Sequence, residues 1–207
     1  MKKYVTVECT SLGISRCVES VRNGGVIVFP TDTVYGLGCD PYNEAAVTRV
    51  FALKSRAEQK PLPVLVGSLD DASRLVDLGP CGLELARKYW PGKLTIVAPL
   101  VDDSISPRIT GGTGKLGVRI PSNVCSCRLL KECRFLVGTS ANISGEPACI
   151  DAASVARSGL DGFDILIDGG RTGGGESTIF DITNSTIIRE GAIRSEDLYK
   201  AIGKHDQ

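Results

Sequence analysis

Thr31, Asp32 and Thr33 directly follow the apolar run Val26–Phe29, which is typical of a buried strand. They place two hydroxyls and a carboxylate at a strand exit, and the glycines just beyond, in Gly36–Gly38, allow the backbone to approach a ligand closely. This arrangement suits a small polar ligand. A tight turn capped by the threonine and aspartate side chains would explain the same residues without a ligand.

A cluster of cations follows the second predicted helix. Asn43 predicts the start of that helix, and Lys54, Arg56 and Lys60 lie at and just beyond its end. Cations at a helix C-terminus interact favourably with the helix dipole, which is a purely structural explanation. The same cluster could clamp a phosphate, because arginine binds phosphate in a bidentate manner and lysine adds a point charge.

Two further segments place polar groups beside apolar strands. Gly138–Gly145 follows the apolar run Phe135–Val137 and carries Ser140 and Asn142. These side chains could hold phosphate or ribose oxygens, or they could form a polar loop without a ligand. Arg119 interrupts another apolar strand, and a cation among core residues needs an anionic partner. That partner is either a structural carboxylate or the carboxylate of a ligand.

Several catalytic classes are excluded by residues that the sequence lacks. The glycine-rich segment 169–175 has no G-x-x-x-x-G-K-[ST] pattern, and Pro41 stands where a dinucleotide fingerprint needs its third glycine. The single histidine is His205, so the sequence offers no Ser-His-Asp or Cys-His pair. The sequence therefore predicts an enzyme that works by positioning and charge stabilisation.

The eight cysteines are expected to be reduced rather than paired, because the N-terminus lacks the apolar core of a signal peptide. Cys125, Cys127 and Cys133 lack the spacing of a structural zinc site, and no structural metal is expected. Lysine plus arginine equals aspartate plus glutamate at 24 each, which gives no overall attraction to nucleic acid. The protein is expected to be soluble and cytoplasmic, with no membrane span.

Helix-like and strand-like segments alternate along the chain, which favours an α/β domain built on one large sheet. Asn184-Ser185 joins the last two predicted strands into a hairpin, so a mixed sheet is favoured over a parallel one. Ser195 is predicted to cap the last helix. The predicted strands are 26–29, 62–66, 94–98, 116–120, 135–138, 164–167, 179–182 and 186–189.

Seven motifs, in order, resemble those of the YrdC-type threonylcarbamoyl-AMP synthases, which begin the synthesis of N6-threonylcarbamoyladenosine in tRNA. They are P-T-D-T-V-Y-G-L from Pro30, K-S-R-A-E-Q-K-P-L from Lys54, W-P-G-K-L-T from Trp90, G-V-R-I-P from Gly117, T-S-A-N-I-S-G from Thr139, E-S-T-I from Glu176 and R-E-G-A-I from Arg189. Each is weak alone, but together they span almost the whole chain and are highly specific. The resemblance implies an α/β fold with a large twisted mixed β-sheet flanked by helices and a concave ligand cavity.

The resemblance also implies a reaction and a set of site residues. L-Threonine, bicarbonate or carbon dioxide, and ATP would give threonylcarbamoyl-AMP and pyrophosphate, with Mg²⁺ accompanying ATP. The catalytic constellation falls on Lys54, Arg56, Ser140 and Asn142. Nucleotide contacts would include Arg56, Lys60, Ser140 and Arg189, and threonine contacts would include Thr33, Arg119 and Ser177. One departure is Leu65, where some members have a histidine near the threonine.

Residues 1–207 are expected to form a single catalytic domain without the additional C-terminal domain of longer members. The expected macromolecular partners are a downstream tRNA threonylcarbamoyl transferase and, as a candidate, tRNA. Two alternatives stay open. One is a double-stranded RNA- or tRNA-binding module without its own catalysis, which the neutral charge disfavours. The other is a carbamoyl-transferring adenylate enzyme like the YrdC-like module of hydrogenase maturation proteins, which sits in longer chains.

Overall fold

The computed structural model describes residues 4–55 and 60–203, in which helices and strands alternate. The helices are α1 (Ser11–Arg22), α2 (Glu44–Lys54), α3 (Leu69–Leu75), α4 (Gly79–Tyr89), α5 (Pro107–Thr110), α6 (Val124–Cys133), α7 (Ala152–Arg157) and α8 (Ser195–Ala201). The strands are β1 (Val5–Glu8), β2 (Ile27–Pro30), β3 (Tyr35–Gly38), β4 (Val64–Val66), β5 (Leu94–Pro99), β6 (Lys115–Arg119), β7 (Phe135–Val137), β8 (Thr139–Ser140), β9 (Ile165–Asp168), β10 (Thr178–Asp181) and β11 (Thr186–Arg189).

The described strands form two mixed sheets. The first has the order β1-β9-β2-β3-β8, and the second has the order β11-β10-β5-β6-β4-β7. Parallel pairs such as β1 with β9 stand beside antiparallel pairs such as β2 with β3. The predicted mixed α/β class is confirmed, and so is the hairpin, because β10 and β11 pair antiparallel. The expectation of one large sheet is wrong in this respect, since the strands divide between two.

The two sheets meet where the chain passes from β7 to β8 at Gly138. Its amide donates to the Pro63 carbonyl at 2.9 Å, whereas the preceding Val137 amide donates to Cys39 at 2.9 Å, at the end of β3. A Cβ at Gly138 would lie 2.4 Å from Leu65 Cγ, and a Cβ at Gly38 would lie 2.1 Å from the Val137 carbonyl oxygen. Glycine at both positions therefore allows the close approach that joins the sheets.

Local signals explain most element boundaries. Asn43 caps α2 as predicted, since its side chain accepts from the Ala46 amide at 3.0 Å. Ser195 does not cap α8, because it is the first helical residue and Arg194 occupies the cap position. Strand β3 was not predicted, since two of its four residues are glycines, which have low strand propensity. All four are buried, so tertiary packing overrides that propensity.

A disulfide joins Cys9, just after β1, to Cys125 in the first turn of α6. The expectation of reduced thiols is therefore wrong for these two cysteines, which are oxidised to a disulfide. The two residues are 116 positions apart in the chain, so no local spacing indicates the pairing. Their Cα atoms are 5.8 Å apart, within the usual range for a disulfide. The other six cysteines are free.

Burial of aliphatic side chains stabilises both sheets. The larger core packs Val, Leu and Ile from α2, α4 and the central strands, and a smaller core lies between α1, α6 and the first sheet. Ile14, Val18 and Val21 form the buried face of α1, as their spacing predicts. Of the helices in the described ranges, none has the length and apolar composition needed to cross a lipid bilayer.

Candidate active site

A cavity of about 400 Å³ opens between strands of both sheets. Its wall includes residues of β3, β4, β5, β6, β8, β10 and β11, together with the segments that follow α2 and β8. All eight of the predicted site residues that the structure describes line it: Thr33, Lys54, Lys60, Arg119, Ser140, Asn142, Ser177 and Arg189. The ninth, Arg56, lies outside the described residues. The cavity thus brings together residues that are scattered over most of the sequence.

Lys54, the last residue of α2, is only 1% exposed although it borders the cavity. Its Nζ donates to the carbonyl oxygens of Ser140, at 2.5 Å, and Asn142, at 2.7 Å, and lies 3.4 Å from Asn142 Oδ1. The Lys54 carbonyl in turn accepts from the Ser144 amide at 2.9 Å. Lys54 therefore holds the backbone of the 140–144 segment, and it brings a positive charge to the cavity wall at the same time.

Asn142 stabilises the same segment from within. Its Nδ2 donates to the carbonyl of Glu146 at 2.5 Å and to that of Ile143 at 3.1 Å. Asn142 is buried, and both ends of its amide contact protein groups. In this structure Asn142 therefore shapes the loop that carries Ser140, and its predicted role toward phosphate stays a prediction.

Arg119, at the end of β6, is 5% exposed, and residues of several segments surround its guanidinium. Nε donates to the Gly92 carbonyl at 2.9 Å, and Nη1 donates to Thr33 Oγ1 at 3.3 Å. Nη2 lies 2.8 Å from Asp32 Oδ1 in an ion pair. Of the two partners that the sequence leaves open, the structural carboxylate is therefore present, and it is Asp32.

The electrostatics of Arg119 follow from this environment. Burial lowers the pKa of its guanidinium, the charge of Asp32 acts in the opposite direction, and the nearby positive charge of Arg189 lowers it further. A guanidinium stays protonated in proteins, so the cost of burying it must be offset by partners rather than by loss of a proton. Sequence reasoning recognised Asp32 as a polar residue of the turn, but no spacing signal linked it to a strand 87 residues further on.

Thr31 and Thr33 form a hydroxyl pair beside Arg119. Their Oγ1 atoms are 2.9 Å apart, and Thr31 Oγ1 also donates to the Val34 carbonyl at 2.7 Å. Thr33 is buried yet borders the cavity. The turn between β2 and β3 is therefore capped by Thr31, as one of the two interpretations predicts, while Asp32 contacts Ser122 and Arg119 instead. Thr33 borders the cavity, and its contact with a ligand stays a prediction.

Ser177, Thr95 and Arg189 form a second cluster in the wall. Ser177 Oγ is 3.0 Å from Thr95 Oγ1 and accepts from Arg189 Nη2 at 3.1 Å. Arg189 also donates to the Ser177 carbonyl and to Glu176 Oε1. Thr95 was not predicted as a site residue. The sequence did contain a signal for Thr95, because it is the last residue of the motif W-P-G-K-L-T.

The cavity wall combines polar and apolar residues. Lys60, Arg119 and Arg189 supply positive charge, and the apolar surface comes from Pro61, Pro63, Leu65 and Ile179. Such a wall suits a ligand that carries anionic groups and a small apolar part. Within the described ranges no group of three or more His, Cys, Asp or Glu residues is placed to hold a metal ion.

Residues 19–191 match a family model for Sua5, YciO and YrdC, which carries the description "Telomere recombination". The chain belongs to the Sua5/YciO/YrdC family. Two relatives, each named threonylcarbamoyl-AMP synthase, come from Pyrococcus abyssi, at 37% identity over 190 residues, and Bacillus subtilis, at 36% over 199 residues. These alignments cover 89% and 92% of this chain.

The fold agrees with this membership. A crystal structure of P. abyssi Sua5 complexed with L-threonine superposes with a TM-score of 0.88 at 34% identity, covering 99% of this chain and 61% of that one. The family and the mixed α/β class that the seven motifs indicated are confirmed, with two mixed sheets in place of the one large sheet. The chain spans 55% and 56% of the length of the two Sua5/YciO/YrdC relatives named above.

Proposed function

We propose that this chain is an L-threonylcarbamoyladenylate synthase, a nucleotidyltransferase that makes threonylcarbamoyl-AMP and pyrophosphate from L-threonine, bicarbonate or carbon dioxide, and ATP. The observation that carries the proposal is the convergence of eight sequence-predicted residues on one cavity of about 400 Å³. Membership of the Sua5/YciO/YrdC family and the names of the two relatives support it. The product would serve the N6-threonylcarbamoyladenosine modification of tRNA, with a tRNA threonylcarbamoyl transferase as downstream partner.

The threonine would bind at the cluster around Arg119. Its carboxylate would pair with the guanidinium, and the hydroxyls of Thr33 and Ser177 would hold its other polar atoms. Threonine bound to the related P. abyssi protein supports this choice of amino acid. Leu65 and Ile179 provide apolar surface in the same cavity, which suits the threonine methyl group.

The ATP would bind where Lys60, Arg189 and the loop carrying Ser140 border the cavity. Cations and hydroxyls there would offset the charge of the phosphates. Mg²⁺ commonly binds through phosphates plus one or two carboxylates, and the carboxylates in this wall are those of Glu146 and Glu176. Glu146 and Glu176, the latter paired with Arg189 at 2.8 Å, would be the protein ligands for a magnesium ion, which would offset phosphate charge when bound with ATP.

The reaction would proceed in two bond-forming steps. The nitrogen of the neutral threonine amine bonds to the carbon of carbon dioxide as one C–O π bond opens, and a proton passes from the nitrogen to water, which gives a carbamate. A carbamate oxygen then bonds to the α-phosphorus, the bond from that phosphorus to the bridging oxygen breaks, and pyrophosphate leaves. The first step creates a carbamate anion, and the second brings that anion to the negatively charged phosphates of ATP, so positioning and charge stabilisation by arginine, lysine and the loop amides are the contributions expected from the protein.

Pyrophosphate release and mass spectrometry of the product test the proposal. The purified chain should release pyrophosphate from ATP only when threonine and bicarbonate are both present, and the adenylate should contain threonine. Arg119→Ala should weaken threonine binding in calorimetric titrations while ATP binding persists. Pyrophosphate release that is independent of threonine would refute the proposed reaction.

A further inference from the structure

We infer that Asp32 is a positioning residue for Arg119 and that its carboxylate keeps the guanidinium in place with Nη1 directed to the cavity. The inference rests on the proposed function, because that proposal assigns the threonine carboxylate to Arg119. The predicted site residues in the described ranges all border the cavity, whereas Asp32 does not. Asp32 would act on the ligand only through the arginine.

Burial is the first reason. Only 6% of the Arg119 side chain and 10% of the Asp32 side chain are exposed, so both charges lie largely out of water. Removing one partner of a buried ion pair leaves the other charge uncompensated, which is strongly unfavourable. In the part of the chain that the structure describes, Asp32 is the carboxylate that pairs with Arg119.

The geometry is the second reason. The guanidinium is planar, and it contacts three points: the Gly92 carbonyl, and Thr33 Oγ1 and Asp32 Oδ1, which lie together in the turn between β2 and β3. Asp32 is itself fixed, because its Oδ1 accepts from the Ser122 amide at 3.1 Å. Contacts at Nε, Nη1 and Nη2 together determine the orientation of the Arg119 guanidinium plane, and the contact with Asp32 is the one to a charged group.

The nature of the contact is the third reason. Although Nη2 and Oδ1 are 2.8 Å apart, Arg119 Nη2 and Asp32 Oδ2 are buried without a hydrogen-bond partner among the described residues. The pair is therefore held by charge more than by hydrogen bonding. Asp32→Asn keeps the shape of the side chain and an oxygen that can accept from the Ser122 amide, removes the charge and turns the other oxygen into an NH2 group, which makes it the most direct test of the charge.

Two effects of Asp32→Asn oppose each other. Loss of the negative charge makes the field at the cavity more positive, which would favour a ligand carboxylate. The buried guanidinium also loses its counter-charge, and it cannot relieve this by losing a proton at neutral pH. It is therefore expected to move toward water in the cavity. We expect the loss of position to dominate, since small displacements of binding groups have large effects.

The experiment compares Asp32→Asn with Asp71→Asn in the full chain. Asp71 is a matched control, because it is a largely buried carboxylate paired at 2.6 Å with an arginine, Arg134, that unlike Arg119 does not border the cavity. The KM for threonine should rise about tenfold to a hundredfold in Asp32→Asn. The KM for ATP should change by less than about twofold, and Asp71→Asn should leave both constants unchanged. An unchanged or lowered threonine KM, or a parallel rise of both constants, would overturn the inference.

A second readout does not depend on activity. Exchange of the Arg119 Nε–H with solvent, followed by nitrogen-15 NMR and assigned with Arg119→Lys, should be slow in the unsubstituted chain, because Nε is buried and donates to Gly92. It should become faster in Asp32→Asn. If the unsubstituted chain makes no threonylcarbamoyl-AMP, the proposed function fails while the NMR result still decides the role of Asp32. Unchanged exchange in Asp32→Asn would refute that role.

Discussion

Replacement of Lys54 by methionine should destabilise the fold, although sequence reasoning places Lys54 in a ligand-binding cluster. Its ammonium donates to two backbone carbonyls at 2.5 and 2.7 Å and is 1% exposed. Methionine keeps an unbranched side chain of similar length and removes all three donors. The substitution therefore tests the hydrogen bonds with little change in packing.

The expected magnitude follows from the acceptors that would remain. The Ser140 carbonyl would keep a second donor, the Asn142 amide at 3.0 Å, whereas the Asn142 carbonyl has no other donor within the described ranges. A buried acceptor without a donor costs about 1–3 kcal/mol, and each charge-assisted hydrogen bond contributes about 1.5–3 kcal/mol. Removing the desolvation cost of the ammonium offsets part of this loss. We expect a net loss of about 2–4 kcal/mol in the free energy of unfolding, or a Tm lower by about 10 °C.

Urea unfolding followed by circular dichroism measures this difference. Lys131→Met is the control, since Lys131 is an exposed residue of α6, and its effect should stay within about 0.5 kcal/mol. Activity per folded molecule should also fall in Lys54→Met, because the loop held by Lys54 lines the cavity. If Lys54→Met matches the control in stability, Lys54 does not hold the loop and the argument is refuted.

Three further predictions follow from buried or paired groups. A hydrogen bond from the Ser106 hydroxyl is the main cause that lowers the pKa of Glu44 from 4.5. The stability that ionised Glu44 gives to the fold is therefore lost as the pH falls through the lowered pKa, and the stability of Glu44→Gln in acid unfolding curves should depend less on pH below about pH 5. Burial raises the pKa of Cys17 to about 12 and also raises that of Cys127, but Cys127 is exposed whereas Cys17 is buried, so iodoacetamide should label Cys127 before Cys17 in native protein, as peptide mass spectrometry can show. Gly38→Ala should unfold at markedly lower urea concentration, because its Cβ would lie 2.1 Å from a carbonyl oxygen of β7; an unchanged midpoint would contradict this.

The elements that depend on near neighbours were predictable. Asn43 caps α2 through an amide three residues away, and the spacing of Ile14, Val18 and Val21 marks the buried face of α1. These signals need only contacts within one or two turns, so the sequence pattern is sufficient. The seven motifs also predicted site residues, and the eight that the structure describes border one cavity, whereas their roles toward ligands stay predictions.

The parts of the site that were missed depend on distant contacts. Asp32 pairs with a strand far along the chain, and Thr95 meets Ser177 across 82 positions. The Cys9–Cys125 disulfide spans 116 positions. None of these pairings leaves a local pattern, since each partner is chosen by the position of a different strand or helix in the folded chain.

The sequence by itself determined the alternation of helices and strands, the family and eight of the residues that border the cavity. Only the tertiary structure decided that the strands form two sheets and that the two sheets meet at Gly138. It also decided that the Lys54 ammonium donates to the backbone carbonyls of Ser140 and Asn142. The physical reason is the range of the forces involved. Periodicity and capping act within a few residues, whereas burial and charge pairing are settled only when segments about 80 or more positions apart come into contact.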